Sequence, residues 1–290
     1  MKRPAVFLTA VALLLVAAIT LIKRRTREDE PGTEATRPAT AEAARIRAFW
    51  EVYRQATDYR VAGDTRRAAE SYARALELDP RHEDALYYLG NLYLELGRYR
   101  EAETAWEHLV LVNPQSSRAH SRLGDLYFCP EPGTPVDLTR AETEFRRAHD
   151  INQEETGPLL RLGEIALVRG NFTEARYFLD AVIGANPGSV EAHFLKGYAA
   201  WRGKDLGQAS AWFAKAVELA RPTGPAGGVP GEGDTKRGLA PQLAPQMKCG
   251  AFKPEIADPS VPGRSDLPAP MAEQYQRLDS RFAELRRSRS

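Results

Sequence analysis

The sequence predicts an all-α protein, a right-handed superhelical solenoid of five helix pairs. It would follow an N-terminal transmembrane helix and precede a Pro/Gly-rich tail that ends in an amphipathic helix. Three observations carry the solenoid. Ala56, Gly90, Gly124, Gly163 and Gly197 recur at spacings of 34, 34, 39 and 34 residues. Around each of them apolar residues follow a helical period in two stretches parted by a short break. Most of the periods then close on a proline or asparagine, which stops a helix.

The second period shows the logic most clearly. Leu86, Leu89, Gly90 and Tyr93 fall at i, i+3, i+4 and i+7, one face of a first helix. Gly97 breaks it, and Ala102, Trp106 and Leu109 mark one face of a second helix. Gly90 and Ala102 are small enough for the two helices to approach closely, with Trp106 filling the gap beyond. Gly63 and Gly170 stand at the same turn as Gly97, and Asp79-Pro80 and Asn113-Pro114 end the second helices. Two periods depart from the pattern. The third has five extra residues at its turn, between Cys129 and Leu138, and ends in Asn152-Gln153; the fifth places Lys196 in an apolar column. The first reads as a lengthened surface turn and the second as a tolerated edge residue. The repeats run over about 49–82, 83–116, 117–155, 156–189 and 190–222. The first helix is expected to begin near Ala41, because 41–62 lacks Pro and Gly. No single helix pair can bury its apolar face alone, so the pairs must stack.

The columns Leu86/Leu89-Gly90/Tyr93, Ala102, Trp106 and Pro114, and their counterparts in the other periods, resemble the tetratricopeptide repeat family. The resemblance covers about three-fifths of the chain. It implies a non-enzymatic scaffold that docks a partner peptide or helix on the concave face of the first helices. Carried onto this sequence, the docking groove comprises Tyr53, Tyr87, Tyr88, Asn91, Arg118, Arg122, Asp125, Arg161, Glu164, Phe194, Tyr198 and Trp201. On this reading Arg118, Arg122 and Arg161 form a basic centre between aromatic ends, suited to a segment with acidic residues between apolar anchors. Some family members clamp a terminal carboxylate with Lys, Asn, Asn, Lys and Arg. Here Arg118 and Arg122 match the last two in charge, while Tyr53, Thr57 and Tyr88 stand where the others are expected. The clamp is incomplete, and chaperone binding is not implied.

Outside the repeats, Ala5 to Ile22 is an uncharged, mostly apolar run of eighteen residues, preceded by Lys2 and Arg3 and followed by Lys23, Arg24, Arg25 and Arg27. A helix of that length is about 27 Å long, enough for most of a hydrocarbon core. An uncleaved anchor over 1–25 is the preferred reading, with a cleaved secretory signal as its rival. Lysine and arginine counts favour a cytoplasmic array, whereas the layout resembles bacterial inner-membrane proteins with an extracytoplasmic domain, the side preferred here. Residues 26–40 read as a spacer. Residues 223–270 hold nine Pro and eight Gly in forty-eight positions, so little fixed structure is expected. Met271, Tyr275, Leu278, Phe282 and Leu285 then restore a helical stripe over 271–287. That helix reads as a cap on the array, a partner-binding or dimerising helix, or a disordered tail.

The remaining chemistry is sparse. A formal net charge of +1 gives no global attraction to nucleic acid. The stretch Gly227 to Lys236 fails as a phosphate loop, because Asp234 follows the last glycine where Lys is required. The five histidines lack metal-ligand spacing; His120 and His193 read as helix packing. Asn171-Phe172-Thr173 matches a glycosylation acceptor but sits where a helix cap is needed. No cofactor, metal, nucleic acid or small-molecule substrate is expected. The alternative to a scaffold is an enzyme or enzyme accessory acting through Cys249, whose pairing with Cys129 the sequence leaves open.

Overall fold

A computed structural model of the protein describes residues 36–220 and 271–287. The apolar run at 5–22, the segment 223–270 and Cys249 lie outside these residues. The described residues form eleven α-helices and no strand. No helix among them is long and apolar enough to cross a membrane.

The helices are α1 (Thr36–Val61), α2 (Thr65–Leu78), α3 (Glu83–Glu95), α4 (Tyr99–Val112), α5 (Ser117–Tyr127) and α6 (Leu138–Ile151). They continue as α7 (Gly157–Arg169), α8 (Phe172–Ala185), α9 (Val190–Arg202), α10 (Leu206–Ala220) and α11 (Met271–Arg287). The chain divides into residues 1–50 and 51–290. In the first part, the leading turns of α1 carry an Arg45–Glu42 ion pair at 2.7 Å and an edge-on Phe49–Trp50 contact at 5.1 Å. Helix α1 begins at Thr36, earlier than the Ala41 expected. Pro38 lies in its first turn, where the missing N–H has no intrahelical partner to lose.

In the second part, successive pairs stack α3/α4, α5/α6, α7/α8 and α9/α10, each against the next. Glycines at 63, 97 and 170 turn the chain between paired helices with φ of +76°, +73° and +78°, the left-handed region that a side chain disfavours. In the last pair Lys204 takes that conformation instead, with φ of +62°. Caps fix the helix starts. Asp64, His82, Ser116, Asp137, Asn171 and Ser189 each accept a backbone N–H from the first turn of the helix that follows, a contact typically worth about 1 kcal/mol. Asn171 therefore caps α8, as its position required.

The repeat spacing depends on a small-residue socket. A Cβ added at Gly90 would lie 2.3 Å from Nε1 of Trp106, and one at Gly124 would lie 2.7 Å from the Phe145 ring. The large ring sits against the glycine itself and not beyond the crossing. Gly163 meets Leu179 in the same way at 3.1 Å. Trp106, Phe145 and Leu179 are all buried. In the third repeat the long connection 128–137 is a surface turn with a buried start: Phe128 and Cys129 are buried, Pro132 and Gly133 are exposed, and Asp137 N–H returns to Tyr127 O at 2.9 Å. Lys196 reaches sideways to Asp180 and lies 3.9 Å from the Trp212 ring, so its charge leaves the apolar column. His120 is buried and bonds Glu144 at 2.6 Å.

Along the second helices, ion pairs join neighbouring repeats: Arg140 with Glu103 at 3.0 Å and Glu107 at 2.9 Å, and Arg146 with Glu174 at 3.0 Å. These groups are at least partly exposed, so each pair contributes no more than about 1 kcal/mol. The apolar sockets carry the stability. Leu123→Ala should cost about 2–5 kcal/mol and Trp106→Ala about 3–5 kcal/mol in urea unfolding. Gly90→Ala should also destabilise, despite the higher helix propensity of alanine. Near-neutral values for all three would mean that the socket does not set the repeat.

Candidate docking groove

The first helices α3, α5, α7 and α9 carry most of the residues assigned to the groove, and they divide into two regions. In the first three repeats the surface is a partly exposed ladder of tyrosines and arginines. Tyr53 meets Tyr72 edge-on at 5.4 Å, Tyr72 stacks on Tyr88 at 5.8 Å, and Tyr87 meets Tyr88 at 5.5 Å. Arg60 lies 4.3 Å from the Tyr88 ring and Arg118 lies 4.7 Å from the Tyr87 ring. Burial pushes the Tyr53 phenol up to about 12, so Tyr53 stays neutral at any physiological pH. Asn91 sits among these groups with its Oδ1 buried and no hydrogen-bond partner among the described residues.

The basic centre expected from Arg118, Arg122 and Arg161 is neutralised by carboxylates. Arg118 donates to Asp84 at 2.9 Å, and Arg122 lies 3.6 Å from Asp125 while also donating to the Tyr87 hydroxyl at 3.3 Å. Arg161 pairs with Asp125 at 3.0 Å and Glu164 at 2.8 Å. Arg161 and Glu164 are 8 % and 1 % exposed, so neither is a solvated groove charge. Burial opposes the charged form of Arg161, but its two carboxylates outweigh that and raise its pKa. Burial has the upper hand at Arg281 nearby, whose pKa is pulled down.

Helix α11 covers the second region. Its stripe of Tyr275, Leu278, Phe282 and Leu285 is fully buried. Tyr275 lies 5.0 Å from Phe194, 5.9 Å from Tyr198 and 5.9 Å from Trp201; Phe282 meets Tyr198 edge-on at 5.4 Å. Asp279 accepts from the Tyr198 hydroxyl at 2.8 Å and also from Arg202. Burial, reinforced by the hydrogen bond to Asp279, pushes Tyr198 up to about 12. Arg286 donates to the Val168 carbonyl at 3.1 Å. Phe194, Tyr198 and Trp201, assigned to the groove from the sequence, thus lie together under the chain's own helix. The sequence identified the stripe on α11; it carried no sign of Asp279 and Arg202 as partners, because that contact spans 77 residues.

Two family models described as tetratricopeptide repeat match this chain, one over residues 61–126 and the other over 137–190 and 160–225, together just over half of it. The chain is a tetratricopeptide repeat protein. Among curated relatives, it is 30 % identical over 103 residues to the tetratricopeptide repeat and J domain-containing co-chaperone DNJ1 of Cryptococcus neoformans, covering 34 % of this chain and 19 % of that one. It is 23 % identical over 127 residues to anaphase-promoting complex subunit 3 of Schizosaccharomyces pombe, covering 44 % and 18 %. The chain spans under a fifth of the length of either relative. A solved structure of MamA matches with a TM-score of 0.53 at 23 % identity, over 59 % of this chain and 91 % of that one. YrrB, described as a TPR protein with an unusual peptide-binding site, matches with a TM-score of 0.50 at 23 % identity, over 61 % and 92 %. At that identity these structures establish the fold of the repeats alone.

The two arginine environments predict opposite responses to truncation. Arg161→Ala leaves Glu164 buried with a lost partner and should cost about 3–5 kcal/mol. Arg118→Ala removes an exposed pair and should change stability by no more than about 1 kcal/mol. Chemical denaturation of the two variants side by side separates a structural from a surface arginine.

Proposed function

We propose that this tetratricopeptide repeat protein is a non-enzymatic scaffold that docks a protein segment on the first-helix groove. On this reading residues 5–22 hold it in a membrane, with the repeats on the extracytoplasmic side, and its work is the assembly of a protein complex. The observation that carries the docking reading is the ladder of Tyr53, Tyr87 and Tyr88 with Arg118 and Arg122, all left at least partly exposed along successive first helices. Tyrosines give rigid contact area at little entropic cost, and arginine adds directional donors. Because the arginines already pair with carboxylates, recognition rests on rings and hydrogen bonds more than on net charge, and salt dependence should be shallow.

Site-specific photo-cross-linking tests the site in the full-length protein in its own membranes. A photoreactive residue at Tyr88 should yield a defined protein adduct, whereas one at the exposed Tyr177 on α8 should not. The adduct from position 88 should fall severalfold in an Arg118→Ala/Arg122→Ala background. Equal adducts from both positions, or none from position 88, would move the docking site off the groove. The anchor is checked separately: the full chain should resist alkaline carbonate extraction, and a chain lacking residues 1–25 should be released by it.

A further inference from the structure

In four of the five repeats a small residue on the first helix faces a large residue of its own second helix: Ala56 with Tyr72, Gly90 with Trp106, Gly124 with Phe145 and Gly163 with Leu179. The fifth breaks this rule. A Cβ added at Gly197 would lie 2.0 Å from the Tyr275 hydroxyl, so the socket is filled from α11. The residue of α10 in the matching column is Phe213. It is only half-buried and lies against Tyr275 at 5.8 Å, whereas Trp106 and Phe145 are sealed in their sockets. One socket therefore has two aromatic claimants, and the array carries its own replacement for Tyr275.

The placement of α11 is that of a ligand and not of an end cap. A cap would seal the outer faces of α9 and α10. Instead, α11 packs most closely on α7, the first helix of the preceding repeat. Helix α7 is consequently buried on nearly every side, from Pro158 to Val168. Between its apolar anchors α11 presents one carboxylate, Asp279, to Tyr198 and Arg202. Its opposite face is charged and exposed, with Glu273, Arg277 and Arg287 among its residues, so the helix stays soluble when it leaves the groove. The fit is imperfect in one respect: the Tyr275 hydroxyl is buried without a hydrogen-bond partner among the described residues, which weakens the self-complex.

Building on the docking reading above, we propose that the groove over α7 and α9 is a helix-binding site, and that Met271–Arg287 is its resident, displaceable ligand. The partner it fits is an amphipathic helix with an aromatic residue, an aliphatic residue three positions on, Asp at the next position, then an aromatic and an aliphatic residue at three-residue steps. This is the order of Tyr275, Leu278, Asp279, Phe282 and Leu285. A ligand on the same chain acts at an effective concentration on the order of millimolar when its tether spans the distance. The resident helix therefore holds back weak competitors and yields to a partner of higher affinity or to removal of its own anchors.

The test uses a fluorescently labelled synthetic peptide of residues 271–287 and the full-length protein. Wild-type chain should bind the peptide weakly, and a Phe282→Glu/Leu285→Glu chain, whose own helix is expelled, should bind it at least about tenfold more tightly. A peptide carrying Phe282→Glu should not bind either protein. A peptide carrying Tyr275→Phe should bind the expelled-helix chain at least about fivefold more tightly than the native peptide, since it omits the unpaired hydroxyl. The proposal is overturned if the double variant keeps a cooperative, helical melt yet binds the peptide no more tightly than wild type. If that variant does not fold, a protease site inserted after Pro262 in the wild-type chain takes its place. Cleavage in the folded state should let labelled peptide replace the resident helix, and its failure to enter overturns the proposal. Cross-linking from Tyr88 does not require release of α11. An adduct there, together with no peptide binding, would leave the scaffold reading standing and remove this one.

Discussion

The contact between a glycine or alanine on each first helix and a large side chain sets the distance between paired helices, and the rest of the array follows from that distance. With no Cβ at Gly90 or Gly124, the indole of Trp106 and the ring of Phe145 press against helical backbone. This closeness brings the small Ala102 and Ala141 into full burial on the partner helices. Each pair presents the next with the same apolar face, so the pattern propagates by nearest-neighbour contact. Polar interactions are subordinate. Caps define where helices start, and exposed ion pairs along the second helices follow a register already determined by packing.

The same register explains why the groove carries little net charge of its own. Arg118 and Asp84 occupy the same column in successive repeats, separated by one 34-residue period. A repeat thus delivers a carboxylate to the arginine of the next. Deeper in the groove, Asp125 lies between Arg122 and Arg161. What remains available on the surface is aromatic area crossed by guanidinium groups already satisfied on one side. Such a surface distinguishes partners by shape and by hydrogen-bond geometry more than by attraction at a distance.

The repeat period, the glycine sockets, the turn glycines and the cap at Asn171 were legible in the sequence because each is a local rule repeated several times. Other features were not. The start of α1 at Thr36 was hidden by Pro38, which reads as a breaker unless it is known to fall in a first turn. The pairing of Arg161 with Glu164 was legible as an i,i+3 relation, but its burial was not, because the covering helix begins more than a hundred residues later. Phe213 stood in the right column for the fifth socket, and only the three-dimensional structure puts Tyr275 there. The stripe on α11 announced a helix with something to bury; its address lay in long-range contacts that leave no periodic trace.

Helix α11 also alters how the array comes apart. In a stack where each pair touches only its neighbours, openings start at either end and spread inward one pair at a time. By lying across α7 and α9 at once, α11 ties the fourth repeat to the fifth, and the carbonyl of Val168 to Arg286. Among the described residues no such clamp lies on α2 to α4, so the last two repeats should open as one cooperative block and the earlier ones in smaller steps. A binding event that removes α11 would be felt as a loss of cooperativity across that whole block, not as a change confined to the groove.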